Sequence, residues 1–249
     1  MHRCYSPGAA LTRGSSLTLE GEEAHHALRV MRLREGDVCE LFNGEGAAAR
    51  ARILSVAGRC LVLGDCEPLP ALPPVAGLTL ALAIPKGSNM DLIVQKAVEM
   101  GAARIIPLLT ERTIVRLDAK EGRAKAQKWR RTALEACKQC GVNTLPLVEE
   151  PQRYAAFLQR HDLPALKLNA AIVPHARPLR AVLEEARAHG QREALVLIGP
   201  EGDFSPAEYA AAEAAGYIPT SLGSIILRVE TAVFMCLAAA RYALDPESC

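Results

Sequence analysis

LVLIGPEGDFSPAEYAAAEAAGYIPTSLGSIILRVETAVFMCLAA, residues 195–239, is the stretch whose reading decides the fold. Two short apolar runs, residues 194–198 and 217–222, each lead into a glycine-bearing loop, Gly199-Pro200-Glu201-Gly202 and Leu222-Gly223-Ser224. Runs this short have the length of buried strands, and a helix-like segment follows each loop. Open α/β sheets take their ligands outside the carboxyl ends of their strands, so the chain is expected to build a pocket wall twice. Gly199, Gly202 and Gly223 would let a ligand approach the main chain and permit positive φ, and Pro200 would stiffen the first turn. The fixed charges in reach are Glu201, Asp203, Arg228 and Glu230. A charge beside an apolar strand end needs a partner. Arg228 and Glu230 therefore read either as working groups or as an ion pair at a helix start.

Upstream, the pattern alternates between strand and helix. Strands are expected at residues 78–84, 104–109 and 165–168, and helices at 91–100, 120–140 and 179–189. Ser88-x-x-Asp91 reads as the cap of the first helix and Gly101 as its stop. Such alternation argues for a mostly parallel sheet with helices on both faces. The last helix, residues 231–244, is apolar nearly all round, through Val233, Phe234, Met235, Cys236 and Leu237, and needs cover on every side. Before about residue 67 the chain changes to short strands and turns. Residues 38–42 and 49–54 read as a hairpin with a tight Asn43-Gly44 turn. Gly44-x-Gly46 is no dinucleotide fingerprint, because strand rather than helix follows it. Pro68, Pro70, Pro73 and Pro74 form a stiff linker between two domains.

The net charge of +1 carries no global nucleic-acid signal, and 23% charged with 50% hydrophobic residues is ordinary globular usage. Charge is unevenly spread, however. Between residues 104 and 138 ten basic side chains outnumber Glu111, Asp118, Glu121 and Glu135, which reads either as a phosphate-facing segment or as a solvated helix face. No apolar run approaches bilayer length, and residues 1–16 lack the apolar core of a secretion signal. A cytosolic protein is expected, its eight cysteines reduced. Only Cys137-x-x-Cys140 has ligand spacing and no second pair accompanies it, so no metal site is expected. Trp129, Ala133, Cys137 and Cys140 share a helical face and read as core.

GPEGDF followed by LGSIILRVETA resembles the signature of the RsmE-type 16S rRNA (uracil-N3)-methyltransferases, of the SPOUT class. The blocks KGSNMDLIVQKAVEMGAARIIPLLTERT (residues 86–113), EACKQCGVNTLP (135–146) and HHALRVMRLREGD (25–37) resemble the family's other blocks, in order. The resemblance spans nearly the whole chain. It implies a PUA-like β-barrel RNA-binding domain over residues 1–70, then an α/β trefoil-knot domain over 75–249 that binds S-adenosylmethionine. It implies cofactor contacts at Ile198, Gly199, Glu201, Gly202, Leu222, Gly223, Ile226 and Leu227, and RNA contacts at Arg29, Arg32, Lys86 and Arg112. Arg228 and Glu230 would be the catalytic residues, the substrate small-subunit ribosomal RNA, and the assembly a homodimer through the last helix. The chain departs from the family at polar positions: Asp203 stands where a glycine is usual, and Asn89, Val142 and Ile225 stand where arginines are usual. A non-catalytic SPOUT-fold assembly factor, a methyltransferase with another RNA target, and an open α/β enzyme acting on a small molecule are the competing readings.

Overall fold

The structure is a computed structural model that describes residues 2–72 and 76–245. Its chain divides into two compact units, one made of residues 1–73 with 137–145, the other of 74–136 with 146–249. Pro73, Pro74 and Cys249 lie outside the described residues.

The first unit contains β1 (Arg3–Tyr5), β2 (Leu17–Leu19), α1 (Gly21–His25) continued by a π-helical turn (His26–Val30), β3 (Val38–Phe42), β4 (Ala48–Ala57) and β5 (Cys60–Pro68). The strands form one sheet in the order β1-β3-β4-β5-β2. β4 shows why: Ala49, Ala51 and Ile53 face a core with Leu41, Leu61 and Leu63, while Arg50, Arg52 and Leu54 face out. The expected hairpin exists, but its turn is not tight. Phe42 pairs with Ala48, so five residues intervene, and Asn43 Oδ1 closes them by accepting from the N–H groups of Glu45 and Ala47. The two-residue turn is instead Gly58-Arg59, between Ala57 and Cys60, with Gly58 at φ +66°.

Residues 137–145 belong to this unit through buried polar contacts. The Arg3 guanidinium donates to the Cys137 carbonyl at 2.7 Å and to Asn143 Oδ1, and lies 4.6 Å over the Phe42 ring. Lys138 pairs with Glu23, and Thr144 bridges to Gly44. Burial pushes the Cys137 thiol up to about 12, which suits packing rather than reactivity. Cys140, expected in the same core, is only half-buried.

The second unit contains β6 (Gly77–Ala83), α2 (Asn89–Glu99), β7 (Ala102–Leu109), most of α3 (Ala119–Cys140), β8 (Leu147–Val148), β9 (Gln152–Arg153), α4 (Tyr154–Leu158), β10 (Lys167–Ala170), β11 (Arg177–Pro178), α5 (Leu179–Ala188), β12 (Glu193–Ile198), α6 (Pro206–Ala214), β13 (Ile218–Ser221) and α7 (Val229–Leu244). Every strand pairing is parallel, in the order β11-β13-β10-β12-β6-β7-β8, with β9 also on β7. β6 and β12 are apolar on both faces, as central strands of a covered parallel sheet must be. Ser88 sits at the N-cap of α2 without a side-chain bond; its carbonyl, not its hydroxyl, receives the Asp91 N–H. β10 begins two residues later than the apolar run does. α6 has the complete capping box, Ser205 with Glu208 behind Pro206. α7 is covered along one side only: Val229, Val233, Cys236, Leu237 and Ala240 are buried where it packs on α2, α5 and β12. Met235 is 42% and Tyr242 65% exposed.

Candidate active site

The carboxyl ends of β10, β12 and β13 open into one cavity of about 810 Å³, within the range of small-molecule sites. Three chain segments wall most of it, residues 170–174 after β10, 198–203 after β12 and 221–230 after β13, and Asn89 at the start of α2 joins them. Ile198, Gly199, Glu201, Leu222, Gly223, Ile226, Leu227, Arg228 and Glu230 all line it, so two loops 20 or more residues apart in sequence meet in space. Gly202 does not line it. Arg29 and Arg32 belong to the first unit. The segment 170–174 was missed by sequence reasoning; it follows an apolar run as the other two loops do, but no glycine marks it.

The loop after β12 is tied down. The Lys86 N–H donates to Glu201 Oε1 at 2.9 Å, and Arg112 Nη1 donates to the Gly202 carbonyl at 2.8 Å. The Glu111 N–H donates to Glu208 Oε1, anchoring the capping box of α6 as well. The residue in left-handed conformation here is Asp203, at φ +62°, not one of the glycines. Its Oδ1 accepts from the Phe204 N–H at 2.8 Å and from the Tyr209 hydroxyl at 2.6 Å. Burial first, and then this carboxylate, pushes the Tyr209 phenol up, so it stays a donor. Gly199 has an ordinary φ; a Cβ there would stand 3.2 Å from the Phe204 ring, so the glycine admits that ring.

The loop after β13 is bare. Gly223, at φ +116°, has open space where a Cβ would be. Among the described residues its N–H meets Ser221 Oγ at 3.3 Å, and its carbonyl accepts from the same hydroxyl at 3.5 Å. Ile225 is 77% and Ile226 79% exposed. Arg228 is the N-cap residue of α7 and exposed; its carbonyl accepts the Ala232 N–H at 2.9 Å, while its guanidinium has neither an ion pair nor a hydrogen bond among the described residues. The alternative of an Arg228–Glu230 ion pair is therefore absent from the described residues. Glu201, Asp203 and Glu230 line the cavity against the single guanidinium of Arg228, so its lining is net acidic.

Half of the basic segment is occupied structurally. Arg104 and Arg160 share Glu149 and Asp162, Arg130 donates to the Val148 carbonyl, and Lys128 pairs with Asp91. With Arg112 on its loop and Lys138 on Glu23, the exposed cations without a partner among the described residues are Arg116, Lys120, Arg123 and Arg131. No cluster of three or more metal-ligating side chains occurs among the described residues, and none of their helices is long and apolar enough to cross a membrane.

The chain thus combines a β unit with a second unit whose parallel sheet carries a net-acidic cavity at its carboxyl edge, and both units match one class of protein, the RNA methyltransferases. Residues 73–241 match the family described as RNA methyltransferase domain, and residues 19–61 the RNA methyltransferase PUA domain. The ribosomal RNA small subunit methyltransferase E of Synechocystis is 34% identical over 90% of this chain and 72% of its own length. The Bacillus subtilis protein of the same name is 30% identical over 91% and 90%. The solved Neisseria gonorrhoeae ribosomal RNA small subunit methyltransferase E, bound to S-adenosyl methionine, superposes with a TM-score of 0.87 at 30% identity, covering 98% of each chain. The chain belongs to the ribosomal RNA small subunit methyltransferase E family.

Proposed function

We propose that this chain methylates uracil N3 in 16S ribosomal RNA with S-adenosylmethionine held in the cavity. The observation that carries the reading is the meeting of two main-chain-exposing loops around a net-acidic cavity with an unpartnered arginine on its wall. The residues present fit the cofactor: the open face of Gly223 admits a flat group against main chain, and the carboxylates suit a cation. When bound, S-adenosylmethionine supplies a methyl group already activated by its sulfonium.

The chain's own task is then alignment and charge. Ile198, Gly199, Leu222, Gly223, Ile226 and Leu227 hold the cofactor, and Glu201 fixes its loop to Lys86. Positioning of this type supplies on the order of 7–11 kcal/mol in favourable cases. Arg228 donates to the uracil as its N3 loses a proton, and Glu230, two residues further on, orients Arg228 or receives that proton. Gly202 and Arg112 act on loop geometry, so Arg112 serves the cofactor wall rather than RNA. Lys86, Arg29 and Arg32 contact RNA. Arg29 lies in the π-helical turn and Arg32 has φ +58°, two departures from regular backbone of the sort found at functional sites. Residues 1–70, joined by 137–145, act as a PUA-like β-barrel, the rest of residues 75–249 as the knotted catalytic domain, and the protein works in the cytosol.

The exposed side of α7 supports a homodimer, with Met235 and Tyr242 at its contact. Leu237 is buried in its own unit and would not report on that contact. Met235→Glu should give monomers by light scattering; a well-behaved monomer for the unmodified protein at micromolar concentration ends the dimer reading. Incubation with 16S rRNA and labelled cofactor, followed by mass spectrometry of the nucleosides, tests the reaction. Absence of a methylated uridine, or methyl transfer to another base, would overturn it.

A further inference from the structure

Asp203 has a place in the cavity that its chemistry explains better than its backbone does. A non-glycine residue at φ +62° costs conformational energy that a glycine would not incur. The carboxylate is nevertheless locked: Oδ1 is taken by the Phe204 N–H and the Tyr209 hydroxyl, and Tyr209 is itself buried. Both donors bind the same oxygen, which leaves the other oxygen for a ligand in the cavity that Asp203 lines. Two of the three cavity carboxylates are thus fixed by the protein, Glu201 through Lys86 and Asp203 through Tyr209.

We infer that Asp203 sets cofactor specificity by charge, favouring the sulfonium form of the cofactor over the neutral thioether left after methyl transfer. The inference rests on the proposal that S-adenosylmethionine occupies this cavity. S-adenosylmethionine carries one positive charge more than S-adenosylhomocysteine, and the two otherwise share their shape. A fixed carboxylate in a partly enclosed cavity is attracted to that charge at a range well beyond hydrogen-bonding distance. Its attraction lapses when the charge disappears with the methyl group, so spent cofactor is held less tightly than fresh. Tyr209 is a positioning residue in this scheme, because it aims the carboxylate without touching the ligand.

Isothermal calorimetry on Asp203→Asn and Asp203→Gly tests the inference, with both ligands titrated into each protein. Asparagine keeps the shape and tolerates the left-handed backbone, and glycine relieves it, so both variants are expected to fold. Both should bind S-adenosylmethionine roughly 3–10-fold more weakly while binding S-adenosylhomocysteine within about twofold of the wild type. In the unmodified protein, rising salt should narrow the preference for the charged ligand. Tyr209→Phe should lose part of the same preference. Equal weakening of both ligands would mean that Asp203 only shapes the loop, and unchanged affinities would mean that its charge is not felt; either result overturns the inference. Failure of the wild type to bind either ligand would instead overturn the cavity assignment itself.

Discussion

The two glycine-bearing walls of the cavity look alike in sequence and differ in how the protein holds them. Residues 199–204 are fixed from outside by Lys86, Arg112 and Tyr209. Residues 222–227 have, among the described residues, two weak side-chain contacts, both between Gly223 and the Ser221 hydroxyl, and two isoleucines in water. A wall held in advance costs little ordering when a ligand arrives, whereas a bare wall is ordered by what it binds. One half of the site therefore sets the shape of the pocket. The other half reports occupancy, and it is the half that carries Arg228.

The largest effect is expected where the bare wall meets chemistry. Arg228→Ala should lower single-turnover methylation at saturating RNA by roughly 10²–10³, as loss of one preorganised donor does. Cofactor affinity should hardly change. A defect that vanishes at saturating RNA would make Arg228 a binding residue and leave the bare wall without a catalytic group.

Gly223→Val comes next. At φ +116° a β-branched side chain is strained by about 1–3 kcal/mol, and its methyls would enter the open face. Affinity for S-adenosylhomocysteine, read by calorimetry, should fall roughly tenfold or more, while the strain lowers the melting temperature by only about 2–12 °C and leaves the protein folded. Unchanged affinity would remove the bare wall from the site.

Arg112→Ala loosens the tied wall. Because Arg112 is exposed, its bonds to the Gly202 and Phe204 carbonyls are screened by solvent, and cofactor affinity should fall only about threefold. A loss as large as that of Gly223→Val would break the distinction between the walls. The gentlest measurement changes no residue. On addition of S-adenosylhomocysteine, amides of residues 222–228 should gain hydrogen-exchange protection while those of 199–204 barely change. Equal protection of both walls would show that neither is preformed.

The central strands and the long helices were legible because apolar runs and helical periodicity are local signals. β3, β6, β7 and β12 fall within a residue or two of their expected bounds, and Gly223 and Arg228 stand out by residue type alone. What escaped depends on distant partners. Strands of two residues, such as β8, β9 and β11, exist only because a neighbouring ladder receives them. Asp203 resembles any loop carboxylate until Tyr209 is seen to reach it. Arg112 reads as one more cation in a basic segment until its guanidinium is found on a carbonyl. The wall at 170–174 lacks the glycine that betrayed the other two. α3 reads as one helix, and nothing in its pattern reveals that its end belongs to the first unit.

That last turn of α3 has a consequence for the order of events during protein synthesis. The ribosome releases β5 roughly 80 residues before it releases Leu145, an interval of about 4–16 s at typical elongation rates. Throughout it, Arg3 has no Cys137 carbonyl to meet and Gly44 no Thr144 beside it. The amino-terminal unit is thus an early product that must wait for a late piece. A nascent chain arrested before residue 137 should leave its first strand open to protease, and a fragment cut at the proline linker should need the peptide 137–145 added back to close.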